Sequence, residues 1–432
     1  MKYVSTHGKS PAVSFRQALF RGMAPDGGLY VPEEFPQISP ATLDHLHTHT
    51  LHSLGEQILS SLIDDIPPHD LAVIARRAWN FPVPLVQLNE HLFLLELFHG
   101  PTLAFKDVGA RFMAEALSYF LVQEDRKITI AVATSGDTGS AVAHGFYGTP
   151  NMMVFILYPA GKISRLQEQQ MTTLGGNIQA VEVSGTFDDC QRLVKQALAD
   201  AEIVRARNLT TANSINLGRL LPQIVYYAWA LAQLRAQTGS TKPTVVVPSG
   251  NFGNLTAAVY AKSLGLPIAH FIAATNINDV VPHYLDTGIF TPRVSVQTLS
   301  NAMDVGNPSN FARLQMLFRQ DVEQMRKEIS AVRVSDEETL MEIRRTYEQT
   351  RSVVDPHTAV GLAAARRHLE HRGSSPLIVA ATAHPAKFPE IIEQALGVRV
   401  PLPNILQEAL RRPKQATTIA PKFSELKALL LA

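Results

Sequence analysis

Three times along this chain a short, apolar, β-rich run breaks into a loop of small and hydroxylated residues. Ile128-Thr129-Ile130-Ala131-Val132-Ala133 runs into Thr134-Ser135-Gly136-Asp137-Thr138-Gly139, with a helical pattern behind it. Thr244-Val245-Val246-Val247 runs into Pro248-Ser249-Gly250-Asn251-Phe252-Gly253-Asn254, and again a helical pattern follows, through Leu264. Leu377-Ile378-Val379-Ala380-Ala381 runs into Thr382-Ala383-His384-Pro385. Short strands without a polar face, alternating with helices, are the pattern of a parallel sheet covered by helices. Ligands of such α/β sheets sit beyond the carboxyl ends of the strands, so the loops are predicted to meet in one crevice.

At 432 residues the chain exceeds what a single hydrophobic core supports, and more than one domain is expected. Residues 1–80 read as a mostly helical N-terminal region, interrupted at Asp26-Gly27-Gly28-Leu29-Tyr30-Val31-Pro32 by a turn and an extended piece. Residues 311–350 read as a long charged helical stretch with a solvated face, and Arg411 to Ala432 as a loop followed by a short helix. Lys plus Arg total 39 against 38 for Asp plus Glu, so nothing draws the chain to nucleic acid or an anionic membrane. Cys190 is the only cysteine, which excludes an intramolecular disulfide and cysteine-rich zinc sites. No apolar run is long enough to span a membrane, and the first residues lack a signal-peptide pattern, so a cytoplasmic protein is expected.

The Ser249–Asn254 loop has the makings of a phosphate cradle. Glycines let the backbone turn until several N–H groups point one way, and the following helix adds partial positive charge. It lacks the Gly-Lys-Ser/Thr ending of a nucleotide-binding P-loop and the Gly-x-Gly-x-x-Gly of dinucleotide sites, so a single phosphate monoester fits better. Taken by itself it is equally a glycine turn between strand and helix. The Thr134–Gly139 loop offers hydroxyls and N–H groups suited to a carboxylate, although Asp137 within it is awkward unless it points away or caps a turn. Lys106 ends an almost uncharged segment, Phe98-His99-Gly100-Pro101-Thr102-Leu103-Ala104-Phe105. Burial there would disfavour the ammonium form and free the amine for Schiff-base chemistry, whereas an ordinary lysine is a solvated surface charge. No metal-ligand spacing and no Gly-x-Ser-x-Gly elbow occurs, so no metal site and no serine hydrolase is expected.

Together these segments resemble the threonine synthases of bacteria and fungi, within the pyridoxal-phosphate enzymes of fold type II, the tryptophan synthase β fold. The likeness runs from Asp26–Pro32 through Glu96–Asp107 and Thr134–Gly139 to Asn213-Ser214-Ile215-Asn216 with Arg219 and Gln223. It continues in Pro248–Asn254 and Asp355-Pro356-His357-Thr358-Ala359 and ends in Thr382-Ala383-His384-Pro385-Ala386-Lys387-Phe388. The resemblance implies parallel-sheet large and small domains plus the helical N-terminal region. Residues 1–80 would form the first, 81–107 with 215–432 a large domain binding pyridoxal 5'-phosphate, and 108–214 a small mobile domain. It implies Lys106 as the Schiff-base lysine, and Ser249, Gly250, Asn251, Phe252, Gly253 and Asn254 as the holders of the cofactor phosphate. Thr382 would sit beside the pyridine nitrogen. Thr134, Ser135, Asp137 and Thr138 would meet the substrate, Asn216 and Arg219 its phosphate, with Lys387 a further partner for that anion. An aspartate is common in relatives where Asn254 stands here. The implied reaction turns O-phospho-L-homoserine and water into L-threonine and phosphate, in a monomer or homodimer. A phospho-lyase releasing 2-oxobutanoate, a dehydratase and a silent cofactor-binding protein are the alternatives.

Overall fold

The computed structural model describes residues 1–122, 124, 126–372 and 375–432. Strands β1 (Tyr3–Ser5) and β2 (Tyr30–Pro32) pair antiparallel, with Tyr30 opposite Ser5. Around them lie the helices Phe15–Arg21, Leu51–Leu62 and Pro68–Ala78. The first two start at serine or threonine capping boxes, in which the cap hydroxyl takes an otherwise orphaned N–H. This region is seated on the rest by Trp79, whose indole donates to the Val108 carbonyl (3.0 Å) and whose ring stacks on Phe112.

A six-stranded sheet has the order β11-β10-β9-β12-β4-β3. Its members are β3 (Leu85–Gln87), β4 (Leu92–Glu96), β9 (Thr244–Pro248), β10 (His270–Thr275), β11 (Ile329–Arg333) and β12 (Leu377–Ala381). All its pairings are parallel except β3 with β4. A five-stranded, wholly parallel sheet has the order β13-β7-β6-β5-β8, from β5 (Ile128–Ala133), β6 (Met152–Pro159), β7 (Ile178–Val183), β8 (Leu209–Thr210) and β13 (Thr417–Ile419). The predicted runs are β5, β9 and β12, each buried along its whole length. Helices pack on both faces, which is why these strands carry no polar side. As expected, a helix follows β5 at Asp137–Phe146 and β9 at Gly253–Ser263. β9 and β12 are neighbours in one sheet while β5 belongs to the other, so the three loops face each other across a crevice.

Two sequence readings need correction. The stretch 311–350 is not one helix: helices Phe311–Leu317 and Val322–Glu328 are separated by Arg319 and Gln320 at positive φ, and β11 intervenes before the helix Asp336–Thr350. Its charged face is also only partly solvated. Arg313 is wholly buried, and Glu342 meets Arg366 at 2.7 Å beneath the surface. At the chain end, the segment read as a loop and helix also contains β13, which adds to β7, and the helix Phe423–Leu431 packs on the helices Phe187–Ala199 and Ala201–Arg207 in the core beside the five-stranded sheet.

That closing helix is therefore core, not appendage. Leu426 is fully buried among Cys190, Leu193 and Ile203, and Leu426→Ala is expected to cost about 2–5 kcal/mol in chemical denaturation. A loss within about 0.5 kcal/mol, the range of ordinary surface changes, would show that the helix contributes nothing to that core.

Candidate active site

The Lys106 loop is bonded to the end of β12. Phe105 N–H donates to the Thr382 carbonyl (2.9 Å), and His384 N–H donates to the Leu103 carbonyl (3.0 Å). Leu103 takes a left-handed conformation (φ 59°), unusual for a branched residue and imposed by this pairing. Lys106 then opens the helix Lys106–Val122, half-buried, with its side chain in a cavity shared by the three loops. Burial, seconded by the nearby cations Lys387 and Arg219, pulls its amine down to about 8 against the opposing pull of Asp137. Asp107, next in the helix, is buried and accepts from the Thr102 N–H (2.9 Å) and hydroxyl (2.7 Å). Burial raises its carboxyl to about 6, with the Thr102 hydrogen bonds opposing.

The loop after β9 fits a phosphate. Among the described residues no acceptor takes the backbone N–H of Gly250, Asn251, Phe252, Gly253 or Asn254. Unpaired N–H groups at a helix N-terminus are what a phosphate monoester requires. A Cβ on Gly250 would stand 2.7 Å from the Ala302 carbonyl oxygen, so only glycine fits there. Phe252 is left-handed (φ 61°) and packs edge-on against Phe311, which fixes the turn. Asn254 accepts from the hydroxyls of Tyr226 (2.6 Å) and Tyr227, leaving its Nδ2 buried and unpartnered. Asn251 is occupied otherwise: its Nδ2 donates to Ser214 Oγ and its Oδ1 accepts from the Ser309 N–H, both at 2.6 Å. Ser249 Oγ is turned back onto the Val247 carbonyl (2.8 Å), so this residue faces the cavity mainly with its backbone. Across the cavity the Thr382 hydroxyl has no partner among the described residues.

In the loop after β5 the Thr134 hydroxyl accepts from the N–H groups of Gly136 (2.9 Å) and Gly139 (2.8 Å), which shapes the turn and leaves that oxygen unavailable to a ligand. Ser135 and Thr138 line the cavity with free hydroxyls. Asp137 also borders it, but its carboxylate is ion-paired with Lys387 at 2.6 Å. Although burial would raise it, Lys387, Lys106 and Gln167 hold that carboxyl well below the usual range. Arg219 borders the cavity; its Nε is buried beside Gly109 without a partner, and one Nη donates to the Ala212 carbonyl (2.6 Å). Burial lowers its guanidinium to about 10, opposed by Asp107. Asn216 and Lys387 do not reach the cavity wall. Asn216 caps the helix Leu217–Leu220 and donates to the Leu19 and Thr211 carbonyls.

Sequence reasoning gave no role to His357 or to the helix Phe187–Ala199, yet both border the cavity. His357 Nδ1 is 2.6 Å from Asp355 Oδ2, and its Nε2 accepts from the Ala302 N–H (3.1 Å), which steadies the strap facing the cradle. From the helix come Phe187, Gln191 and Lys195, for which no motif gave a signal. Among the described residues no cluster of His, Cys, Asp or Glu could hold a metal ion, and no helix is long and apolar enough to cross a membrane.

A lysine beside a strand–loop–helix anion cradle, between two parallel sheets, defines the class of pyridoxal-phosphate dependent enzymes of fold type II. The family described as "Pyridoxal-phosphate dependent enzyme" matches residues 79–382. "Threonine synthase N terminus" matches 2–79 and "Threonine synthase, C-terminal" matches 358–430. The chain belongs to the threonine synthase family. It is 45% identical to threonine synthase of Escherichia coli over 432 residues, covering 100% of this chain and 99% of that one. The Saccharomyces cerevisiae threonine synthase is 38% identical, covering 91% and 89%. The crystal structure of the E. coli enzyme superposes with a TM-score of 0.94, covering 100% and 99%. The PLP-bound threonine synthase of Brucella melitensis, 37% identical, gives 0.93 over 100% and 99%. Maize serine racemase, at 18% identity and TM-score 0.54 over 73% and 91%, shares the fold alone.

With its amine near 8, Lys106 in protein freed of cofactor is expected to be acetylated with a midpoint about two units below that of exposed lysines. Its reactive free amine rises as pH passes upward through that value. Mass-spectrometric labelling against pH measures this, and a midpoint equal to that of surface lysines would refute it.

Proposed function

We propose that Lys106 is the covalent anchor of pyridoxal phosphate and that this site converts O-phospho-L-homoserine and water to L-threonine and phosphate. The observation that carries the reading is the pairing of a low-pKa lysine with two separate sets of anion donors: the cradle N–H groups on one side and the Arg219 guanidinium bordering the cavity on the other. One anion site serves a cofactor phosphate, and the other a phosphate on the substrate. The chain is an enzyme of the threonine synthase family, and pyridoxal phosphate is its cofactor.

When bound, the cofactor supplies an electron sink for the carbanion formed at the substrate α carbon. The N–H groups of residues 250–254 would hold its phosphate. Thr382, whose hydroxyl lines the cavity, would offer the ring nitrogen a neutral partner, which favours a protonated nitrogen less than a carboxylate would. Lys106 Nζ takes the α proton and returns it, a task for which an amine near 8 is suited at neutral pH. Ser135 and Thr138, with the helix start at Asp137, receive the substrate carboxylate. Arg219 binds the departing phosphate with a planar fork preformed by its bond to Ala212. Asn216 holds Arg219 in place as the cap of the same short helix.

The five-stranded unit, 108–214 with the β13 edge attached, closes over the substrate and limits water to the molecule added at the β carbon. The protein is taken to work in the cytoplasm as a monomer or homodimer.

Purified protein incubated with O-phosphohomoserine should release threonine and inorganic phosphate in equal amounts. Phosphate accompanied by 2-oxobutanoate instead would assign the chain to the phospho-lyase reaction. Gly250→Ala, which puts a Cβ against Ala302, should weaken cofactor retention measured by absorbance after dialysis. Arg219→Ala should retain the cofactor and lose about 2–5 kcal/mol in kcat/KM. The reverse pattern would exchange the roles of the two anion sites.

A further inference from the structure

At the edge of the cavity, with Asp137 on its wall and Lys387 behind it, the Lys387–Asp137 ion pair is almost completely buried. Lys387 belongs to the turn Pro385–Lys387 after β12 of the six-stranded sheet. Asp137 opens the helix after β5 of the five-stranded sheet. The pair therefore joins the two units at the crevice floor. Each partner is anchored a second time: Lys387 Nζ donates to the Thr102 carbonyl (2.9 Å), and Gln167 Nε2 donates to Asp137 Oδ1 (2.9 Å). The Thr102 carbonyl also accepts from Gln170 (3.3 Å), while its own N–H and hydroxyl bind Asp107. One ammonium thus ties together the lysine loop, the loop after β5 and the turn after β12.

We propose that the Lys387–Asp137 pair is a positioning latch between the two units, one that leaves the Ser135–Thr138 loop receptive to a carboxylate, and that Lys387 is not a ligand of the substrate phosphate. The proposal rests on the reading of the site given above. A helix N-terminus that receives a carboxylate cannot carry an uncompensated carboxylate at its own first residue, because like charges in a desolvated crevice repel strongly. Lys387 removes that conflict. Two of its three donors are met, by Asp137 and Thr102, and its side chain has no exposed surface.

The same pair sets the charge around Lys106. The groups facing that amine are Asp137 from the helix after β5, Lys387 from the turn after β12, Arg219 from the short helix Leu217–Leu220, and His357 from across the cavity. Asp107 follows it on its own helix. Removing Lys387 alone leaves an anion beside Lys106 and removes a repelling cation, so the amine holds its proton more tightly. Removing both charges cancels most of that change.

The test compares Lys387→Met, Asp137→Asn and the double variant. In protein freed of cofactor, the Lys106 acetylation midpoint should rise by about one unit or more in Lys387→Met and return to within about half a unit of wild type in the double variant. In the holoenzyme, KM for O-phosphohomoserine should rise about tenfold in Lys387→Met and fall back in the double variant. An unmoved midpoint in Lys387→Met overturns the latch. So does a double variant whose KM is as poor as that of Lys387→Met, because Lys387 would then be contacting the substrate phosphate. If Lys387→Met does not fold while the double variant does, the unpaired buried charge is the cause, as proposed. A double variant that also fails to fold overturns the proposal, since charge would not then be what Lys387 contributes. Wild-type protein that makes no threonine would refute the proposed function alone, and the acetylation arm would still judge the latch.

Discussion

A lysine amine that must shed its proton near neutral pH is badly placed beside binding sites for anions, because every anion nearby strengthens its hold on that proton. The crevice meets this conflict with cations and neutral donors instead of free carboxylates. The loop after β9 presents backbone N–H groups. Arg219 is buried and donates to a carbonyl rather than to a carboxylate. Asp137, the carboxylate bordering the cavity, is neutralised by Lys387, and Asp107 is turned under the lysine loop and bound to Thr102. The balance leaves the amine near 8, which suits proton transfer at both ends of a reaction.

That arrangement needs two sheets. The cradle and Thr382 come from adjacent strands β9 and β12, whose shared register fixes one wall. The opposite wall comes from β5 in the separate five-stranded sheet. The lysine loop is bonded to β12 rather than to β5, so the reactive amine keeps its place relative to the cradle if the other wall moves. The chain's end reinforces the second unit: β13 covers the edge of β7, and Leu426 and Leu430 join its core beside Cys190, Leu193 and Ile203.

Much of this was legible because the relevant strands bury both sides, and a run such as Thr244–Val247 can then hardly be anything else. Ser249–Asn254 was legible through its glycines, which are required where Gly250 passes Ala302. The lowered amine of Lys106 agrees with the uncharged residues before it. Edge strands were not legible: Ile329–Arg333 is half-exposed, and its charged neighbours carry a helical period that masks it. Thr417–Ile419 is too short to produce a pattern. The Lys387–Asp137 pair is invisible for another reason. It joins residues remote in sequence, and each alone resembles an anion-site lysine or a turn-capping aspartate. Thr134 misleads similarly, since whether a hydroxyl faces a ligand or its own loop is decided by backbone geometry.

The N-terminal region is tied into the same site by a residue that looked like surface charge. The Arg313 guanidinium donates to the carbonyls of Tyr30 (3.0 Å) and Ile215 (2.6 Å) and to the Asn310 side chain, not to a carboxylate. Tyr30 is on β2, Ile215 precedes the Arg219 helix, and Asn310 meets Ser214, the hydroxyl that also accepts from Asn251 in the cradle. A guanidinium buried without a counter-ion is costly unless its donors are nearly all met, and here carbonyls from separate segments meet them. Burial lowers it to about 10, still far above neutrality, so it stays charged. Its positive charge then adds to the field favouring a phosphate in the adjoining cradle, and its rigid fork fixes the Tyr30 strand against the Ser214–Ile215 backbone. The N-terminal region is accordingly part of what holds the cradle in shape.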